Sequence, residues 1–513
     1  MTGAPTSSAC GFEMVAGLEV HCQLATRTKL FCGCANGASG AEANTAICPV
    51  CTGQPGSLPV LNGAAVELAF KAGLALECRL AERSVFARKN YFYPDLPKAY
   101  QISQYEDPFA LEGGVSFQIP GVAVEAGGRA SRPPSGRALA AGGASKRVRL
   151  HRIHLEEDAG KLLHAIGSRE LDGSLVDFNR CGAPLIEIVT EPDVSSGKEA
   201  YAFLTALKEV LIFAGVSDCD MERGELRCDA NISVRRKGDP TLGTKVEIKN
   251  LNSFKAVKEA LDHEFGRQLG VLQAGGRILQ ETMLWNADSH RTEAMRVKEE
   301  AHDYRYFPDP DLVPLVAEAR LVERVRGALP ELPASRRRRY IAAFGLSEYD
   351  SQVLVSERAL GDYFEEAVKG IPAEAIKVAV NLITTELLGR LNSGKSTIQS
   401  CPVPPASIGG LASLIHDGTL STRLAKEAFA RAWETGKAPE ALVAELGLVQ
   451  VSDEGQVKEW VKAALQSNPK AAADLKAGND RAIGAVVGAV MKLSKGKANP
   501  GLVNRLIKEA ASS

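Results

Sequence analysis

From Met14 to Leu24 the even positions are Met14, Ala16, Leu18, Val20, Cys22 and Leu24, all apolar. Glu19, His21 and Gln23 take the other side. Alternation with period two predicts a strand that lays one face on a core. The pattern returns over Glu225–Arg235, where Leu226, Cys228, Ala230, Ile232 and Val234 oppose Glu225, Arg227, Asp229, Asn231, Ser233 and Arg235. Thr244–Lys249 turns Lys245, Glu247 and Lys249 outward, and Pro184–Glu191 sets Glu187 and Glu191 on one face between branched aliphatics. Together they predict an antiparallel or mixed sheet with one covered and one polar face. For any single strand, a solvated surface explains the polar side. Solvated faces favour Thr, Lys and Glu, whereas these strands also carry Asp, Asn, His and Arg, a mixture that suits a site.

Near residue 320 the pattern changes. Gly, Pro and period-two runs give way to Ala, Leu, Glu, Lys and Arg at helical spacing. A 513-residue chain suits about three domains. The expected class is α+β: a sheet domain with flanking helices over 1–315, a helical domain over 316–400 and a helical tail over 401–513. The last division falls at the linker Cys401-Pro-Val-Pro-Pro405. Gly113–Lys146, rich in Gly, Ala, Ser, Pro and Arg, reads as a flexible hairpin or surface insertion.

Charge and composition narrow the classes. A net charge of -1, with 45% hydrophobic and 24% charged residues, excludes wholesale disorder and a uniformly basic nucleic-acid binder. It leaves room for a local basic patch. The longest apolar stretch is about ten residues, near Ala482–Met491, against the ~18 of a membrane span. Met1–Phe12 lacks a basic and an apolar segment, so neither a signal peptide nor a convincing transit peptide is expected. The 11 cysteines, an odd number, point to a reducing compartment.

Several motifs carry chemistry. Cys32-Gly-Cys34 and Cys48-Pro-Val-Cys51 have the pairing of a closed four-thiolate zinc site, which would be structural; the rival is a set of free thiols in a loop. Arg152–Lys161 packs three acids in a row beside His154. With Glu19, His21 and Glu187 they offer mostly hard oxygen ligands for Mg²⁺. The rivals are a solvated turn or a helical turn salt-bridged from Glu157 to Lys161. Glu157 is the preferred ligand of the row with Glu156 close behind, because spacing alone does not separate them.

Two aromatic clusters, Asn90-Tyr91-Phe92-Tyr93-Pro94-Asp95 and Tyr304-Arg305-Tyr306-Phe307-Pro308-Asp309, read either as packed loops or as stacking surfaces for adenine or a tRNA end. Arg336–Arg339 reads as a solvated helix face. From Lys458 onward there are ten Lys/Arg against four Asp/Glu, an electrostatic footprint for RNA or a surface balancing an acidic partner. Gly389–Ser396 matches the P-loop pattern by letter, but the run before it is helical, so it reads as a helix end and exit loop.

The chain resembles the B subunits of the aspartyl/glutamyl-tRNA(Asn/Gln) amidotransferases. The resemblance rests on GLEVHCQ (Gly17–Gln23), CPVCTGQPGSLPVLN (Cys48–Asn62), RKNYFYPDLPKAYQISQY (Arg88–Tyr105) and His154–Lys161. It continues through DFNRCGAPLIEIVTEPD (Asp177–Asp193), GELRCDANIS (Gly224–Ser233), KNLNSF (Lys249–Phe254), RVKEEAHDYRYFPDPDL (Arg296–Leu312) and the tail Asn468–Ala510. It covers nearly the whole chain in order, with Gly113–Lys146 unmatched.

The resemblance implies a cradle-shaped catalytic domain, a helical domain and a tRNA-binding tail. It implies ATP-dependent amidation of Glu-tRNA(Gln), Asp-tRNA(Asn) or both, through phosphorylation of the side-chain carboxylate and displacement by ammonia. Glu19, His21, Glu157 and Glu187 are then expected to hold Mg²⁺. Glu156, Asp158, Lys89, Arg227 and Asp229 would take part in catalysis. Tyr91, Tyr93, Asn231, Lys245, Tyr304, Arg305 and Tyr306 would bind ATP or the aminoacyl end. Lys492, Lys495, Lys497 and Arg505 would contact tRNA. The sequence shows neither a Ser/Gly-rich amidase loop with its Lys nor a Cys-His glutaminase pair. The resemblance therefore implies a partner amidase (glutaminase) chain, plus a small third chain, in a heterotrimer. A bacterial cytoplasmic setting is expected, with an organelle left open. The alternative is a non-catalytic tRNA-binding scaffold of the same complex, against which the clustered acids argue.

Overall fold

The computed structural model describes residues 11–512 except 38–39, 124–142, 167–168, 296–303, 395, 446, 448–450, 452, 477–481 and 495–496. The described residues form two compact units, Met1–Leu332 and Pro333–Ser513.

The first unit is built on a ten-stranded sheet. Its strand order is Arg291–Ala294, Glu281–Asn286, Val246–Leu251, Leu226–Arg236, Phe12–Gln23, Pro184–Thr190, Gly143–Glu157, Ala110–Leu111 and Arg79–Leu80, with Gly114–Ala123 paired to Gly143–Glu157. Neighbours run antiparallel, except Val246–Leu251 beside Glu281–Asn286. The four alternating segments are thus adjacent strands of one sheet, with their polar residues in register. Their apolar face packs on the helices Gly197–Phe213 and Phe254–Gln273, where Leu18, Val20, Ile186, Ile188, Phe203, Leu207, Val257 and Leu261 are buried. Each such side chain contributes roughly 1.5–3 kcal/mol on leaving water. Ser196 and Ser253 start these helices by accepting from the amides of Glu199 at 3.2 Å and Ala256 at 3.0 Å. The arms of the predicted insertion form an antiparallel pair, and its middle lies outside the described residues.

The first unit runs further than the expected boundary at 315. Helix Ala319–Gly327 packs on helix Gly63–Ala75, buries Val325, and pairs Arg324 with Glu67 at 2.7 Å. Helical composition is visible in a sequence, but the core a helix joins is not.

The second unit is all helical among its described elements. Helix Pro405–His416, beyond the predicted linker, packs on helix Ala373–Asn381, so the 401 boundary does not separate two cores. A distinct cluster is centred on Val457, Val461, Val486, Val490, Val503 and Ile507. Gly389–Gly394 lies within helix Leu388–Gly394, which continues a helical run rather than following a strand, as expected of a P-loop look-alike. Lys395 lies outside the described residues. The arginine run is not a solvated face throughout. Arg336 is buried against Asp362 (2.6 Å) and Glu365 (2.8 Å), and Arg339 also reaches Glu365 at 2.6 Å.

Candidate functional site

Strand register assembles a polar floor. His154 stands opposite Glu187, Glu187 opposite His21, and His21 opposite Arg227, giving one row across four strands. The next row pairs Glu19 with Asp229, and beyond it Asn231 faces Glu247. Directly opposed residues on one face come within about 5 Å, so these side chains must interact.

Three of them converge. The His21 Nε2 lies 3.3 Å from Glu187 Oε2 and 3.6 Å from Glu156 Oε1. One ligand atom from each of His21, Glu156 and Glu187 lies within 4.8 Å of the others, a spacing that suits a metal ion. His154 Nε2 braces both acids, 3.1 Å from Glu187 and 3.5 Å from Glu156. Ser103 donates its hydroxyl to Glu156 at 3.0 Å. Burial alone would discharge the imidazole of His154, but Glu187 and Glu156 outweigh it and raise its pKa to about 9. Burial likewise disfavours a charged Glu187, yet His154 and His21 hold it well below the usual carboxylate range. Glu19 stands beside the cluster and accepts from Asn231 Nδ2 at 2.9 Å. Burial first, and then the charge of Glu187, raise its pKa.

The acidic row is neither a solvated turn nor a helical one. His154–Glu157 completes a strand, and Glu156, Glu157 and Asp158 are all buried. Strand alternation then separates two adjacent acids. Glu156 shares the polar face with His154, while Glu157 shares the face of the core residues Ile153 and Leu155. Glu157 forms an ion pair with Lys98 and accepts from the Ile102 amide at 2.9 Å. The preference for Glu157 as metal ligand is therefore corrected: Glu156 is the acid of the row brought to His21 and Glu187.

The remaining site residues fall around this floor. Arg227 donates to Asp158 at 2.8 Å, and Arg180 approaches the same carboxylate at 3.3 Å. Lys249 bridges Asp229 at 3.1 Å and Glu247 at 3.0 Å. Lys245 is exposed near Glu247. The two aromatic loops, distant in sequence, meet. The Asn90 amide bonds the Tyr304 carbonyl at 2.9 Å, and Tyr91 and Tyr304 sit edge to face. Lys89 lies 5.0 Å from the Tyr304 ring. Tyr306 stacks on Tyr105 at 4.1 Å with an 8° interplanar angle. Arg305 takes a left-handed backbone, φ 44°, between the two tyrosines, and its carbonyl accepts from Asn90. Tyr93 is largely exposed. Sequence reasoning left His154, Ser103, Lys98 and Tyr105 without roles, although three of them lie in the Arg88–Tyr105 motif and His154 heads the acidic row.

The Sγ atoms of Cys32, Cys34, Cys48 and Cys51 lie within 4.8 Å of one another. The Cys48 amide and the Lys29 ammonium face Cys51 at 3.2 and 3.6 Å. A hydrogen bond from Cys32 pulls the Cys51 thiol down to about 4 against the effect of burial. Four convergent sulfurs beside a buried cation fit a thiolate-bound metal.

In the second unit, Lys492 is exposed in the last turn of helix Ile483–Leu493. Lys497 is half-buried, and Arg505 is shared between Glu454 (3.4 Å) and Glu509 (4.0 Å). Lys495 lies outside the described residues. Among the described residues no helix is long and apolar enough to cross a membrane.

Residues 14–323 match the family model of the GatB/GatE catalytic domain, and residues 362–510 match that of the GatB domain. A protein of Caldanaerobacter subterraneus subsp. tengcongensis is 47% identical over 98% of this chain and 99% of its own length. One of Elusimicrobium minutum is 50% identical over 96% of this chain and 98% of its own. Both are named as the B subunit of aspartyl/glutamyl-tRNA(Asn/Gln) amidotransferase.

Proposed function

Because the chain belongs to the GatB/GatE family, we propose that it activates and amidates the aminoacyl end within a tRNA-dependent amidotransferase. The carrying observation is the convergence of His21, Glu156 and Glu187 on a polar floor flanked by Arg227 and the stacked tyrosines. A carboxylate is a poor electrophile toward ammonia. Its oxygen first attacks the γ-phosphorus of ATP and ADP leaves. Ammonia then adds to the acyl carbon, phosphate departs, and the amide nitrogen loses a proton. The products are Gln-tRNA(Gln), Asn-tRNA(Asn) or both.

His21, Glu156 and Glu187 would hold Mg²⁺, with Glu19 beside them. That ion would offset charge on the phosphate oxygens. His154 keeps Glu187 and Glu156 ionised and oriented. Asp158 fixes the Arg227 guanidinium, leaving its other donors for an anion. Asp229, through Lys249, orders the floor near Asn231. Lys89, Lys245, Tyr91, Tyr93, Tyr304, Arg305 and Tyr306 line the approach for nucleotide and aminoacyl end. Ammonia comes from a partner amidase, with a small third chain completing the complex. The free cysteines and the bacterial relatives favour a cytoplasmic setting. The test is amidation of Glu-tRNA(Gln) and Asp-tRNA(Asn) with the amidase partner present. If site variants weaken tRNA binding alone and leave ATP cleavage intact, the scaffold reading replaces this one.

The four cysteines would hold a structural Zn²⁺. Metal analysis of the purified chain is expected to show about one zinc per chain. Cys48→Ser should lower the melting temperature before it changes turnover. Native, zinc-free protein with four reactive thiols would sink the assignment.

The basic tail would grip tRNA through Lys492, Lys495, Lys497 and Arg505. The hydrophobic cluster beyond Val451 makes a cleaner cut than the 401 linker, since helix Pro405–His416 packs on its own unit. Removing 451–513 should raise the apparent KM for tRNA and flatten its salt dependence. Unchanged tRNA affinity would refute this role.

A further inference from the structure

Arg152 is a further cation of the floor. It shares the strand Gly143–Glu157 with His154 and Glu156, and lies two residues from His154 on the same polar face. Its guanidinium carbon sits 5.7 Å from the Tyr105 ring, at the end of the Tyr105–Tyr306 stack. Its Nε is buried and has no hydrogen-bond partner among the described residues. On the same strand the buried Nδ1 of His154 is also unpartnered. Of the other cations around the floor, Arg227 and Arg180 already reach Asp158, Lys98 pairs with Glu157, and Lys249 pairs with Asp229 and Glu247. A buried guanidinium N–H without an acceptor is costly, so a bound acceptor is expected there.

We propose that Arg152 binds the side-chain carboxylate of the aminoacyl ester and presents it to the phosphoryl group. The inference rests on the proposed amidotransferase reading. The metal-suited cluster stands between Arg152 on one strand and Arg227 on another, three strands away in the sheet order. Arg227 lies on the side of the floor that carries Asn231, Lys245 and Lys249, which we assign to the triphosphate. Arg152 lies against the tyrosine stack, on the other side of the cluster. A planar guanidinium matches a planar carboxylate through two parallel hydrogen bonds. The two anions thus meet at the cluster from opposite sides.

The experiment uses the complete complex with Arg152→Met, which keeps the stem against Tyr105, and Arg152→Lys. Against aminoacyl-tRNA, kcat/KM should fall by ~10–100-fold in the Met variant, the loss expected for one charged hydrogen-bonding contact. The KM for ATP, the affinity for deacylated tRNA and the melting temperature should stay within about twofold or a few degrees. Arg152→Lys should recover part of the loss. A rise in KM for ATP instead would assign the guanidinium to phosphate and overturn the proposal. So would a lowered melting temperature with proportionate loss of all functions, which marks a packing role, or unchanged kinetics in both variants. Wild-type complex that makes no amide would sink the broader reading and is distinguishable from each of these.

Discussion

Glu187→Gln is expected to abolish most tRNA-dependent ATP cleavage while leaving tRNA bound. Glu187 makes the two shortest contacts between an acid and an imidazole of the cluster, 3.3 Å to His21 and 3.1 Å to His154, and belongs to the metal-suited triad. The amide retains size and one acceptor but removes the charge. His154 loses a carboxylate that keeps it protonated, and a divalent ion loses a charged oxygen ligand. A loss of at least ~100-fold in phosphoryl transfer is expected, about 2.7 kcal/mol on the barrier. Glutamine hydrolysis by the amidase partner should continue, uncoupled from amide formation. Glu19→Gln should cost less, because Glu19 lies outside the triad and already shares a hydrogen bond with Asn231. The measurement is tRNA-stimulated release of inorganic phosphate at saturating ATP. Near wild-type rates for Glu187→Gln would reduce the cluster to a network of structural ion pairs.

Most of the floor is legible in the sequence alone, and the reason is geometric. A strand of period two carries its own face assignment, so Glu19, His21, Glu187, Arg227, Asp229 and Asn231 declare their side without a partner strand. The acidic row does not, because its strand contains an irregularity. Val189 pairs with Arg152 but Thr190 pairs with Leu150, so one residue is extra there. Val148 and Leu150 are buried before it, and Ile153 and Leu155 after it. The inward parity changes between them, and the alternation is broken where the chemistry begins. Consecutive acids then look like a turn. The tyrosine platform is hidden for a different reason. Its halves lie more than two hundred residues apart, and only the folded pairing of Asn90 with Tyr304 brings them together. The unit boundary is missed because composition registers that Ala319–Gly327 is a helix but not that it covers Gly63–Ala75.

The correction at Glu157 carries the second large effect, and it concerns stability rather than turnover. Lys98 and Glu157 form an ion pair whose side chains are 7% and 2% exposed. Such a pair gains little over two apolar residues, but breaking it leaves one charge stranded in the interior. Lys98→Met is therefore expected to destabilise the first unit by about 3–5 kcal/mol. The strand Tyr100–Ser103 should loosen first, since Glu157 also holds the Ile102 amide and its carbonyl accepts from Gln101 at 2.7 Å. Exchange of the Ile102 amide with solvent deuterium reads this locally, and urea unfolding reads it for the unit. The double variant Lys98→Met/Glu157→Leu should recover much of the loss, because neither charge then needs a partner. Glu157→Gln alone should show the same instability with residual phosphoryl transfer scaled to the folded fraction. A metal ligand would behave the other way, losing phosphoryl transfer at full stability. Lys98→Met within about 1 kcal/mol of wild type, with Glu157→Gln folded but inactive, would return Glu157 to the metal site.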